Sequence, residues 1–131
     1  MSNTNVTLDV RNFSSGGADG YTDTRASNDA TYSYRYVGGS DGHGNIEEIA
    51  DGVSGTITVD MQSDPRYRIG GVVFSGDVEQ QLSWQAGDVQ TRVVITDSDT
   101  QTGAGTYCVT VYDTTANCTI PCDPAIVNKP K

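Results

Sequence analysis

Three cysteines, one histidine and a scatter of carboxylates are the residues that could do chemistry in this 131-residue chain. Cys108, Cys118 and Cys122 are odd in number, so at most one internal disulfide can form. If the last two strands make a hairpin, Thr110 opposite Ile120 puts Cys108 against Cys122. A tighter turn puts Cys108 against Cys118, and either pairing can satisfy disulfide geometry. With Val109 and Val111 facing inward, such a bridge would face outward, and closing a loop of roughly 10 to 15 residues would add about 3 kcal/mol. Three reduced thiols are the alternative. A catalytic cysteine would need a base, and His43 sits in a distant glycine-rich loop, Gly38 to Asn45.

The carboxylates suggest two chemistries. Asp97-x-Asp99-x-Gln101 imitates the opening of a calcium loop. Thr102 then stands where the invariant glycine belongs, and Cys108 where the bidentate glutamate belongs, so an EF-hand is excluded. A calcium site between strands at one end of a sandwich remains, built from Asp97, Asp99 and a neighbouring loop carboxylate such as Asp19 or Asp23. Solvated turn aspartates are the alternative. Carboxylate pairs for glycoside hydrolysis could be drawn from Glu47, Glu48, Asp51 or Glu79, and their spacing favours none of them. There is no nucleophile elbow, phosphate loop or His/Cys metal cluster. The expectation is a non-enzymatic chain with no cofactor beyond calcium. Two glycosylation sequons begin at Asn5 and Asn117.

Seventeen acidic residues against eight basic give a formal charge of −9. That balance repels phosphate backbones and excludes nucleic acid as a partner. No apolar run approaches the roughly 20 residues of a membrane span. The first residues, Met1 to Asn5, carry neither a basic nor an apolar signal region. A cytoplasmic protein is expected, or one exported without an N-terminal signal.

The elements that must position these groups are strands. Val, Ile, Thr and Tyr dominate the apolar set, and leucine occurs only at Leu8 and Leu82. Such residues suit a pleated, half-buried surface. Period-two alternation marks Asn5 to Arg11, Ala30 to Val37, Thr56 to Gln62, Val78 to Trp84, Val89 to Ile95 and Thr106 to Tyr112. Tyr67 to Ser75 is apolar on both faces, and its Gly70-Gly71 pair predicts a bulge or a close backbone approach. The stretch Ile46 to Ala50 is ambiguous, 12–28 reads as a long loop, and Gln85 to Asp88 reads as a hairpin turn. Tyr32, Tyr34 and Tyr36 share one face of their strand, as a core wall or as an exposed stripe able to bind sugar. Turn signals near every ten residues predict one all-β domain over 1–131. Its expected architecture is an immunoglobulin-like antiparallel β-sandwich of about seven to nine short strands.

Several stretches resemble the DP-EP family of small bacterial proteins. They are Tyr67 through Gly71, Val72 and Phe74, then Val93-Ile95-Asp97, Gly105-Thr106-Tyr107 and Val109-Val111-Asp113. The tail Asp123-Pro124-Ala125-Ile126-Val127-Asn128-Lys129-Pro130 is the most specific part. The resemblance implies an Ig-like sandwich and little about activity. The function expected is a non-catalytic structural, self-assembling or protein-interaction module, with a carbohydrate- or calcium-binding module as the alternative and a carboxylate-based hydrolase last. Self-association by exchange of the Asn5 to Arg11 strand is one expected route, because a long loop follows it.

Overall fold

Alternation carries the fold. The computed structural model describes residues 3–15, 20–87, 89–122 and 125–129, with Ala125 and Lys129 described in backbone alone. Asp19, Asp88, Asp123, Pro124, Pro130 and the first two residues lie outside the described set. Among the described residues are eleven strands: β1 (Asn3–Arg11), β2 (Thr22–Arg25), β3 (Thr31–Gly38), β4 (Ile46–Ile49), β5 (Gly55–Met61), β6 (Tyr67–Gly76), β7 (Leu82–Ala86), β8 (Arg92–Asp97), β9 (Gly103–Asp113), β10 (Cys118–Cys122) and β11 (Ala125–Lys129). A 3-10 turn, Glu79–Gln81, precedes β7. None of the described residues forms a helix long and apolar enough to cross a membrane.

Six strands make one sheet in the order β2-β3-β1-β5-β8-β7. In the other, β9 pairs with β6 along one edge, and β10 and β11 share its opposite edge. β4 then adds to β11. The all-antiparallel expectation is corrected at two pairings, β1 with β5 and β4 with β11, which are parallel. Both sheets are therefore mixed. β1 is not a detachable edge, because it lies between β3 and β5 and is paired on both sides. Exchanging it between subunits would break two ladders.

The inner faces meet in one apolar layer. Val6, Leu8, Val10, Ile57, Val59, Val93 and Ile95 pack from the six-stranded sheet against Tyr107, Val109, Val111, Ile120 and Ile126 from the other. Each set follows the period of two that a half-buried strand requires. Gly105 is needed where β6 crosses β9, since a Cβ there would sit 2.0 Å from the Ser75 carbonyl oxygen. The Gly70-Gly71 pair does mark a register shift, between Ile69 and Gly71. Trp84 from β7 lies over Gly71 at that point.

Sequence periodicity misplaces three things. Val78 to Trp84 is not one strand: Val78 is fully buried, its carbonyl accepts from the Gln81 N–H at 2.9 Å, and the strand starts only at Leu82. β8 starts at Arg92, after a turn that reaches past Val89. β2 is hidden in the 12–28 loop, because its exposed Thr-Asp-Thr-Arg carries no apolar phase.

Candidate metal centre

The inward phase of four strands ends in polar side chains. On β8 it runs Val93, Ile95, Asp97, and on β9 Tyr107, Val109, Val111, Asp113. On β4 it runs Ile46 then Glu48, and on β11 Ile126 then Asn128. Asp97 and Asp113 are fully buried, Asn128 is 2% exposed and Glu48 5%. Asn128 closes against Gly103 at one end of β9, and Asp113 forms the other end. The core thus carries a polar plug at each end.

The Asp113 plug is satisfied. Arg66 donates to both its oxygens, Nε to Oδ1 at 2.9 Å and Nη2 to Oδ2 at 2.7 Å. The Tyr32 hydroxyl donates at 2.6 Å, and the Thr115 and Ala116 N–H groups donate at 2.9 and 3.2 Å. Burial alone would raise the Asp113 carboxyl, but these donors outweigh it and hold the group at about 2. Burial, with Asp113 and Cys118 hydrogen bonds behind it, pushes the Tyr32 phenol upward.

The opposite plug is not satisfied. Asp97 Oδ1 accepts from the Asp99 N–H at 3.0 Å and from Asn128 Nδ2 at 3.0 Å. Asp97 Oδ2, Asp99 Oδ1 and Asn128 Oδ1 are buried without a hydrogen-bond partner. Asp99 is itself 2% exposed, and its backbone is left-handed at φ 55°. Its carbonyl accepts from Gly52 N–H at 2.8 Å, which draws the β4–β5 turn against the site. Glu48, opposite Asn128 in the parallel register, adds negative potential at Asp99, as does Asp51. Burial first, then Asp97 and Glu48, push the Asp99 carboxyl up to about 7. Among the described residues neither Asp97 nor Asp99 has an ion pair; those recorded are Arg66–Asp113 and Arg92–Asp60. A buried polar oxygen left unpaired costs roughly 1–3 kcal/mol, and one small region holds three.

Oxygen-rich donors without a soft ligand match a hard cation of the calcium class, which takes carboxylates, amide oxygens and backbone carbonyls. Among the described residues no three His, Cys, Asp or Glu side chains already stand grouped as a ligand set. The unpartnered oxygens belong to two aspartates and an amide, so the amide oxygen and nearby carbonyls would have to share in holding an ion.

The structure unites Asp97 and Asp99 as the sequence suggests, but with other partners. Asp23 lies on β2, four strands from β8 and so roughly 19 Å away across the sheet. Its carboxylate accepts from Ser14 Oγ and from the N–H and Oγ of Ser15. The sequence pattern offers Glu48 only to hydrolysis, and it singles out neither Asn128 nor Gln81 as a site residue. Glu47, Asp51 and Glu79 are exposed, as is His43. The signal that finds the site is phase: each polar residue takes the next inward position after a buried aliphatic.

The tyrosine stripe is not an exposed platform. Tyr32 and Tyr36 are 2% and 4% exposed, and Tyr36 packs edge-on to Tyr107 at 6.0 Å. Tyr34 is half-buried against Tyr36. Their strand turns this face toward the β9–β10 layer, where Tyr32 reaches Asp113 and the Tyr36 hydroxyl reaches the Cys122 carbonyl at 2.8 Å.

The disulfide expectation is corrected by one residue of register. Ile120 pairs with Val111, not Thr110, so Cys122 faces Val109 and Cys118 faces Asp113. A one-residue slip turns every side chain to the other face. Cys118 and Cys122 are therefore buried in the core, and Cys108 lies on the outer face. All three are thiols. Cys118 and Cys122, four residues apart on one strand, are roughly 13 Å apart and cannot bridge. Cys108 lines an open groove of about 580 Å³ with Val73, Thr106, Thr110 and Pro121. A thiol reagent should label Cys108 alone in the folded protein and all three after unfolding. Intact mass should show no loss of two hydrogens; a mass lower by two would overturn this arrangement.

A scan against models of known protein families and a search among curated proteins each returned no match.

Proposed function

We propose that this chain is a non-catalytic β-sandwich module whose fold is completed by a hard divalent cation, calcium first, held between β4, β8, β11 and the loop after β8. The observation that carries the reading is the contrast between its two plugs. At one end a buried carboxylate has a donor for each oxygen. At the other, Asp97, Asp99 and Asn128 turn three unpartnered oxygens into the protein. A divalent ion offsets that desolvation, whereas an aliphatic core would not need the oxygens at all.

Such an ion would be structural. Its holders are almost fully buried, so it stiffens the sandwich end rather than bridging to a sugar or a substrate. The immunoglobulin-like class and the DP-EP resemblance belong to the same proposal. They rest on the strand spacing and on the quoted residues, and the two parallel pairings are where this chain departs from an all-antiparallel plan. Protein interaction or self-association is the role such a stiffened module would serve.

One observation favours a second reading, a proton in place of the ion. Asp99 hydrogen-bonds the Asp97 side chain, and its carboxyl titrates near neutrality. Calorimetric titration at pH 8 separates the two. Calcium should bind one to one and magnesium more weakly, because the smaller ion demands near-octahedral geometry and gives up its water reluctantly. Asp97→Asn should abolish the heat. No calcium heat and no change in melting temperature at millimolar calcium would leave the proton pair as the function of these carboxylates.

A further inference from the structure

Gln81 ends the 3-10 turn before β7, and its side chain organises the loop after β8. Its Oε1 accepts from the Thr100 N–H at 3.0 Å and the Gln101 N–H at 3.0 Å. Its Nε2 donates to the Gln101 carbonyl at 3.1 Å. These backbone partners fix which end of the Gln81 amide is oxygen: two N–H groups need an acceptor and one carbonyl needs a donor. Asn128 Nδ2 meets that same Oε1 at 3.2 Å and Asp97 Oδ1 at 3.0 Å. Both contacts are acceptors, so nitrogen must occupy that end of the Asn128 amide. Its oxygen is then left on the other side, buried and without a hydrogen bond.

We propose that Gln81 is the positioning residue of the cation site, setting the Asn128 amide so that a calcium-class ion is offered oxygen rather than nitrogen. The inference rests on the cation reading above. Without the Gln81 oxygen one restraint on the amide is lost, and the Thr100 and Gln101 N–H groups lose their acceptor beside the Asp97–Asp99 loop. Supporting partners of this kind typically change metal affinity 10- to 100-fold.

Calcium and europium(III) titrations of the full chain at pH 8 test it, with the calcium dissociation constant and the europium-bound water count from luminescence lifetimes as readouts. Gln81→Met should weaken calcium at least tenfold and add about one bound water. Gln81→Glu keeps an acceptor for Asn128 but loses the donor to the Gln101 carbonyl and adds a charge that itself alters affinity, so its readout is the water count, which should match the parent. In Asn128→Asp, which presents oxygen at both ends, affinity should become insensitive to the Gln81→Met change. This last comparison also serves if the single Met variant folds poorly, with Gln81→Asn, its oxygen one methylene short, taking its place. Gln81→Met binding within threefold of the parent, with the same water count and only a lower melting temperature without ion, would make Gln81 merely structural and overturn the proposal. A parent that binds neither ion overturns the cation reading and this inference together, so the two failures are distinct.

Discussion

Replacing Asp99 with asparagine should make the protein more stable without calcium and unresponsive to it. Asp99 is nearly fully buried beside Asp97 and Glu48, and its carboxyl is raised to about 7. In the unfolded chain the same group ionises near 3.9. Between those values the folded state holds a proton that the unfolded state has released, so stability falls as pH rises from about 4 to about 7 and is level above. The substituted amide carries no charge, so Asp99→Asn should gain about 4 kcal/mol in chelator at pH 8 and lose that slope. With calcium the gap narrows. A ligand at a hundred times its dissociation constant adds about 2.7 kcal/mol, or about 10 °C in a domain of this size, and only the parent should show it. Denaturant melts at pH 5 and pH 8, with chelator and with calcium, make the comparison. A variant less stable than the parent in chelator at pH 8 would mean that Asp99 is not strained.

Asp113→Ala should cost about 3 kcal/mol at pH 7, because it removes the acceptor of five donor contacts and leaves Arg66 facing a buried gap. Arg66 is 24% exposed in its side chain, which places the cost at the lower end for a broken buried pair. The depressed carboxyl sets the pH window. Its stabilisation is complete above the unfolded value near 3.9 and drains as pH falls toward about 2. Tyr32→Phe, which removes one donor, should cost about 1 kcal/mol. Urea melts at pH 7 and pH 3 read both. An Asp113→Ala penalty below 1 kcal/mol at pH 7, or one that persists undiminished at pH 3, would refute the assignment. The two plugs thus bend the pH profile in opposite senses, and the ion-free protein should be most stable near pH 4 to 5.

How much of this could be read from the sequence depends on whether a residue's local pattern fixes its face. The strands containing Val6, Ile57, Val93 and Tyr107 follow from alternation alone. The partners of those strands do not, because pairing is settled between distant segments: nothing local to Asn5–Arg11 says that it runs parallel to β5. The cysteines show how sharp the limit is. A hairpin displaced by one residue converts an outward bridge into two core thiols, and alternation in β10 is compatible with both until the Val111–Ile120 register is known. The candidate metal centre is half legible. Asp97 and Asp99 stand out as a motif, whereas Glu48 and Asn128 reach them only through the β4–β11 pairing. Gln81 reads as a strand residue, because alternation does not reveal that Val78 is the wedge that starts a turn.

β1 occupies the middle of the six-stranded sheet, and the register pairs Val6 with Gly38 and Val59, roughly 30 and 50 residues later. In kinetic terms the sheet cannot grow outward from its first strand. Local hairpins such as β7–β8 and β9–β10 can form early, whereas the β1–β5 ladder must wait for a long loop to close. During that wait Val6, Leu8 and Val10 present a bare apolar edge to other chains. This makes residues 3–11 the stretch of a growing chain most in need of shielding, and the final docking of β1 the expected slow step of folding.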